Sequence, residues 1–186
     1  NGAFKSGCIK EEILQNGATH IIEFQNNLPL KTGKIIWKSG ATYEGEIRDH
    51  FPDGYGIRRW PDGQTEEGIW LKGEMTGKYK ISYANGDVYT GEIVRGKRHG
   101  NGNMVYKNGS IYEGNYVSNE RDGYGRVQFA DGNFYAGEFK ANKYHGFGTL
   151  VLGLSMYVGE FADGKPNGNG TAISLETNRK FSGQYV

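Results

Sequence analysis

One stretch of this chain decides its fold: residues 135–148, which read YAGEFKANKYHGFG. Tyr135, Gly137 and Phe139 stand at alternate positions, so they share one face of a β-strand. The stretch closes on Gly146 and Gly148, and such a glycine pair leaves bare backbone against which an aromatic ring can pack. The stretch therefore predicts two short strands joined by a turn, with aromatic side chains on one face.

The same pattern recurs along the chain with a period of 23 residues. Successive copies start at residues 43, 66, 89, 112 and 135, and the next two start at residues 157 and 181, after steps of 22 and 24. A weaker copy starts at His20. A fixed period of this length indicates a repeat protein, in which each copy buries its apolar face against its neighbours.

The columns of the repeat indicate how each copy folds. Positions 1, 3 and 5 mostly carry tyrosine, glycine and an apolar or aromatic residue, and positions 14, 16 and 18 mostly carry glycine, an apolar residue and an aromatic residue. We call the surface formed by these six positions the aromatic face. Pairs such as Asn108-Gly109 and Asp131-Gly132 close most copies, and such pairs suit tight hairpin turns with positive φ.

These patterns predict an all-β protein, an elongated single-layer antiparallel β-meander of hairpin repeats with about seven to eight copies and essentially no helix. We expect residues 1–19 to form a degenerate N-terminal repeat or cap, and residues 20–186 to form the repeat array. Because the chain begins with Asn1 rather than Met, one interpretation is that it is a piece of a longer protein.

Composition narrows the classes of function. The net charge is +1, so nothing favours nucleic acid or an anionic membrane binding over the whole surface. No apolar run approaches the length of about 18 residues that a membrane span needs. The single cysteine, Cys8, fits a reducing compartment, and we expect a cytoplasmic protein.

At the level of family, the template resembles the MORN repeat (membrane occupation and recognition nexus). The resemblance rests on Tyr-x-Gly-Glu-Phe, then Gly-x-Gly, an aromatic residue and Asp-Gly, over residues 20–186. Three features depart from it: Glu66 replaces tyrosine, Tyr79 replaces glycine, and the step into Tyr157 lacks one residue. The resemblance implies an interaction module, found in radial spoke heads and other cytoskeletal proteins and also beside separate lipid kinase or SET-domain methyltransferase domains.

Residue types that often carry chemistry have simpler interpretations here. His99 and His145 occupy the same repeat position two copies apart, roughly 20 Å by strand spacing, which is too far for one metal ion. The recurring glutamates lie on the polar face because the template repeats: Glu46, Glu92, Glu138 and Glu160. We therefore predict a chain without catalytic activity, cofactor or metal.

The most basic turn contains Lys97, Arg98 and His99. Its Gly-x-Gly pattern resembles a phosphate loop, but a strand follows instead of a helix whose N-terminus would hold the anion. This turn is predicted to contact an anionic lipid headgroup or an acidic partner.

The aromatic face is predicted to bind a helix or an extended segment of a partner protein, because a single-layer sheet has no second layer to cover it. The predicted anchors are Trp70, Tyr83, Tyr106, Tyr116, Phe129 and Phe139. The competing interpretation is that these rings are already buried against the glycines of neighbouring strands and only stabilise the sheet.

Three functions stay open at this point. The first is a scaffold or adaptor in a cytoskeletal or axonemal, radial-spoke-like assembly. The second is a phosphoinositide or membrane-attachment module. The third is the regulatory repeat region of a larger enzyme, such as a lipid kinase or a SET-domain methyltransferase.

Overall fold

The computed structural model describes residues 7–186, which contain sixteen β-strands and no helix. The strands stand in the sheet in the order in which they follow along the chain, and the neighbours pair antiparallel. The all-β antiparallel meander is therefore confirmed. The strands are β1 (Cys8–Ile13), β2 (Thr19–Gln25), β3 (Leu28–Ile36), β4 (Thr42–Arg48), β5 (Phe51–Arg59), β6 (Thr65–Leu71), β7 (Glu74–Ser82), β8 (Val88–Val94), β9 (Lys97–Val105), β10 (Ile111–Val117), β11 (Glu120–Gln128), β12 (Phe134–Lys140), β13 (Lys143–Leu152), β14 (Ser155–Ala162), β15 (Lys165–Ser174) and β16 (Lys180–Tyr185).

The strands divide into two compact units, which we describe separately. The first unit runs to Gly86 and includes residues 93–96, and the second comprises residues 87–92 and 97–186. Residues 1–6 of the predicted N-terminal cap lie outside the described residues, and the division of the chain at residue 20 stays a prediction.

In the first unit, the two departures from the template compensate each other. Glu66 stands where other copies have tyrosine, and it is buried beside Arg58, with 2.5 Å between its carboxylate and the Nε atom of that arginine. Tyr79, which replaces a glycine, lays its ring against Gly68 and fills the space that a tyrosine at position 66 would occupy. Trp70 packs edge-on against Tyr79, with 5.8 Å between the ring centroids. The copy that starts at residue 66 therefore keeps its aromatic core, and the ring comes from β7 instead of β6.

In the second unit, edge-to-face ring pairs run along the aromatic face. Tyr112 packs at 5.2 Å from both Tyr116 and Phe139, and Tyr135 packs at 5.1 Å from Phe139. The Tyr112 hydroxyl donates to the backbone oxygen of Asn115 at 2.9 Å, and burial raises the pKa of Tyr112 to about 12, so the donor stays protonated. Edge-to-face geometry is the one that aromatic quadrupoles favour, so the rings form a core without a second sheet.

Arg121 and Tyr144, at position 10 of successive copies, cover these rings. The Arg121 guanidinium carbon lies 5.4 Å from the ring centroid of Tyr112 and 5.2 Å from that of Phe139. The same guanidinium donates to the backbone oxygen of Asn142 at 2.7 Å, and the Asn142 side chain accepts the Arg121 backbone N–H at 2.9 Å. Tyr144, at the same position in the next copy, stacks on Tyr135 at 3.8 Å. Arg121 therefore covers the rings and also ties its hairpin end to the next one.

Candidate partner-binding surface

The six predicted anchors fall into two groups. Trp70, Tyr116 and Phe139 are buried within the chain, with exposed fractions of 1%, 2% and 3%. The other three, all at position 18, are half-buried: Tyr83, Tyr106 and Phe129. Burial of the first three matches the competing interpretation, in which these rings form the core. Contact of any of the six with a partner stays a prediction.

The predicted basic turn does not present its three side chains together. Lys97, Arg98 and His99 follow one another in β9, so they alternate between the two faces of the sheet. Lys97 and His99 are exposed, whereas the Arg98 guanidinium carbon lies 5.1 Å from the ring centroid of Tyr116. Arg98 also donates to the backbone oxygen of Asn119 at 2.9 Å. Arg98 therefore serves the aromatic core, and an anion contact at this turn stays a prediction.

Exposed apolar side chains lie on the opposite surface, which carries positions 2, 4, 6, 9, 13, 15, 17 and 23 and which we call the open face. In the first unit, Phe51 is 56% exposed, Ile69 is 50% exposed and Leu71 is 57% exposed. These residues line a hollow of about 630 Å³. We call it the Phe51 hollow, and its lining consists of Glu46, Arg48, Asp49, Phe51, Asp53, Gly54, Ile69, Trp70, Leu71 and Lys72.

A local irregularity of the β4–β5 hairpin shapes this hollow. The register between the two strands shifts between Gly45 and Ile47, so β5 carries extra residues at this point. The Glu46 carboxylate accepts the backbone N–H of Tyr55 at 3.1 Å, which fixes the irregular segment. Gly54 lies inside that segment with φ of +116°, and a Cβ there would stand 2.7 Å from the Cβ of Glu46. The close approach and the positive φ explain why glycine stands at this position.

Charged groups surround the apolar floor of the hollow. Arg48 and Asp53 pair at 3.3 Å across its rim, so their charges largely offset each other. Asp49 and Lys72 belong to the adjoining turns and are exposed. An apolar centre inside a polar rim is the general arrangement of a protein-binding site.

The open face of the second unit carries a different surface. Tyr124 is 67% exposed and Phe147 is 58% exposed, and Glu138 lies between them on β12. The Glu138 carboxylate accepts the Phe147 backbone N–H at 3.2 Å and the Tyr124 hydroxyl at 3.4 Å. These contacts give the recurring glutamate a structural role in holding the strand irregularity.

An apolar row crosses the same open face of the second unit. Its members pair in register across β9 to β15, with Gln128 as the one polar position: Val105, Ile111, Gln128, Phe134, Val151, Met156 and Ile173. In the first unit the open face instead carries charged contacts, such as Lys34 to Glu44 at 3.0 Å and Arg59 to Glu44 at 3.4 Å. Sequence reasoning missed this apolar row and the Phe51 hollow because it treated the whole open face as polar. Apolar residues at positions 4, 6, 9, 17 and 23 were the available signal.

A family model described as the MORN repeat matches six segments of the chain: residues 43–65, 67–88, 89–111, 112–134, 135–152 and 157–174. Together the segments cover more than half of the 186 residues. The chain belongs to the MORN repeat family. Five of the six matches begin at the start predicted for that copy, and the second begins one residue later. Assignment of residues 20–42 and 175–186 to the MORN array stays a prediction.

Solved structures similar to the MORN array include two TCP domains. The wild-type TCP10 domain of Danio rerio CPAP is 16% identical with a TM-score of 0.47, over 95% of this chain and 89% of that chain. The SAS-4 (dCPAP) TCP domain of Drosophila melanogaster, solved in complex with a proline-rich motif of Ana2, is 11% identical with a TM-score of 0.42, over 95% of this chain and 90% of that chain. A sequence search of curated proteins found no significant match. At these identities the structural likeness says nothing about a partner of this chain.

Two further observations bear on function. Among the described residues, no helix is long and apolar enough to cross a membrane. Across residues 7–186, no three histidine, cysteine or acidic side chains converge as a metal-binding group.

Proposed function

We propose that the chain is a non-enzymatic scaffold that binds a partner protein through the open face of its MORN array, with the Phe51 hollow as the main contact. The observation that carries this proposal is the contrast in exposure between the two faces. Trp70, Tyr116 and Phe139 of the aromatic face are buried within the chain, whereas Phe51, Ile69 and Leu71 stay exposed around one concave surface. Exposed apolar residues that converge on a hollow are typical of interaction sites.

The hollow suits a large apolar side chain of an extended partner segment. Its volume of about 630 Å³ is sufficient for a leucine- or phenylalanine-sized group together with its backbone. Full burial of such a side chain against Phe51 and Leu71 would contribute about 1.5–3 kcal/mol. The charged rim around Arg48 and Asp53 would offer hydrogen bonds to the partner's backbone and polar groups.

A cytoskeletal or axonemal assembly is the setting that we propose for this scaffold, and membership of the MORN family supports it. Co-sedimentation of the purified chain with isolated axonemes tests this setting. Recovery of the chain only in the supernatant would count against it. The separation of Arg98 from Lys97 and His99 gives the lipid-headgroup alternative no further support.

A peptide-display selection tests the proposed function. Immobilised chain would select binders from a library of random linear peptides, and we expect the selected peptides to share a large apolar residue. Leu71→Glu should weaken their binding by about 10- to 100-fold, because the substitution removes roughly 1.5–3 kcal/mol of apolar contact. The readout is the Kd by fluorescence anisotropy.

Val117→Glu is the matched control for this selection. Val117 occupies the same repeat position as Leu71, is 47% exposed and lies in the second unit. It should leave the Kd unchanged. Selected peptides that bind the Leu71→Glu and Val117→Glu variants equally well would contradict the hollow as the main contact.

The half-buried members of the predicted anchors remain a second proposed contact. Tyr106→Ser tests it with the same selected peptides. A weaker Kd with unchanged folding would assign Tyr106 to the binding surface.

A further inference from the structure

Two histidines meet beside the Phe51 hollow, within the first unit. His20 lies in β2 and is 6% exposed, and His50 lies in the turn between β4 and β5. Their Nδ1 atoms are 3.1 Å apart, and their rings pack edge-on with 5.3 Å between centroids. One nitrogen must donate and the other must accept, so this hydrogen bond exists only while at least one ring is neutral.

The turn held by this contact carries part of the hollow. Asp49 and His50 both have positive φ, of +48° and +67°, and Phe51 follows them at the start of β5. On the far side, the Gly73 backbone N–H donates to the backbone oxygen of Pro52 at 2.8 Å. Phe51 is therefore positioned by its pairing with Arg48 across the turn, by the backbone bond after it and by the histidine contact before it.

We propose that the His20–His50 contact is a proton-operated latch, which holds the 49–51 turn and the Phe51 hollow in their binding form at neutral pH and releases them in acid. A first proton leaves the bond intact, because a charged ring still donates to a neutral one. A second proton removes the acceptor and places two positive rings against each other. This inference rests on the proposed function of the hollow and adds its regulation.

The charges around the pair set the direction of the effect. Burial first, and His50 second, lower the pKa of His20, while Glu12 on the adjoining β1 raises it. From β5, Arg58 lines the same small cavity as His50, and Glu66 pairs with that arginine. Asp49 is the neighbouring charge on the turn itself.

The lowered pKa of His20 determines the direction in which the latch responds to pH. The latched form holds His20 neutral to a lower pH than the released form, whose histidine titrates near the ordinary value of 6.5. The contribution of the latch is therefore complete above about pH 6.5 and is lost as the pH falls from there through the lowered pKa of His20.

NMR titration of the whole chain tests the latch without any ligand. Between about pH 7.5 and about pH 5 we expect the Phe51 ring and Leu71 methyl signals to move together with the His20 ring signals. Two substitutions remove the latch with residues that other copies carry at the same positions. His20→Tyr restores the tyrosine of position 1, and His50→Asn introduces the residue found at Asn27, Asn119 and Asn142.

In both variants the Phe51 and Leu71 signals should stay constant over this pH range. Glu12→Gln should move the transition to lower pH, because it removes the charge that raises the pKa of His20. The proposal would be overturned if the Phe51 signals of the wild-type chain did not change while the His20 signals titrate.

Peptide binding at two pH values is the second test of the latch. A peptide selected at neutral pH should bind the wild-type chain severalfold more weakly near pH 5.5, because the second proton releases the turn that carries Phe51. The His20→Tyr variant should bind the peptide with the same Kd at neutral pH and near pH 5.5. If no peptide binds at either pH the proposed function fails, and the NMR titration still decides the latch. If peptides bind with the same Kd at both pH values, the latch alone fails.

Discussion

Tyr116→Ser is expected to lower the free energy of unfolding by about 4 kcal/mol, as large-to-small changes of buried aromatic residues do. The ring is 2% exposed and packs edge-on against Tyr89 at 5.5 Å and Tyr112 at 5.2 Å. The Arg98 guanidinium lies over the ring and would lose that partner as well. Urea denaturation followed by tyrosine fluorescence and circular dichroism measures the loss, because the three tryptophans all lie in the first unit.

Tyr116→Phe is the control for this substitution. Among the described residues, the buried Tyr116 hydroxyl has no hydrogen-bond partner, so its removal should be neutral or should stabilise the chain by up to about 1 kcal/mol. Phenylalanine already stands at this repeat position at Phe139 and Phe161. If Tyr116→Ser left stability unchanged and weakened the binding of a selected peptide, Tyr116 would be a partner anchor and its assignment to the core would be wrong.

Gly137→Ala is expected to destabilise the chain by about 3 kcal/mol, at the upper end of the usual range for overpacking. A Cβ at this position would stand 2.5 Å from the Cα of Gly148, 2.6 Å from the backbone oxygen of Phe147 and 2.7 Å from the hydroxyl of Tyr135. Two of these neighbours are backbone atoms of the paired strand, so relief requires that the strands separate. The change in unfolding free energy is measured by the same denaturation experiment.

Gly183→Ala is the matched control because Gly183 occupies the same repeat position in the last copy. No atom lies within 4 Å of a Cβ built there, and its backbone conformation suits any residue. We expect a change within about 0.5 kcal/mol, as is usual for exposed positions. Equal losses for the two variants would show that close approach of the strands is not the reason for the glycine column.

Much of the fold follows from local pattern. Alternation of Tyr135, Gly137 and Phe139 indicates a strand in any context, because side chains of a strand alternate between faces. The 23-residue period then fixes the succession of hairpins, since each copy can bury its apolar side only against its neighbours. The binding surface does not follow from local pattern, because the same alternation is found both in a buried core and in an exposed aromatic sheet.

The strands, their antiparallel order and the family could be predicted from the amino-acid sequence, because these depend on residues that are close along the chain or that repeat at a fixed interval. Three features required the three-dimensional contacts: which side chains cover the aromatic face, how Tyr79 replaces the tyrosine missing at Glu66, and where His20 meets His50. Those contacts join residues 9 to 30 positions apart through turns whose exact bend and twist set the distances. A difference of a few ångströms decides whether a ring is core or surface, and no periodicity in the sequence encodes a displacement that small.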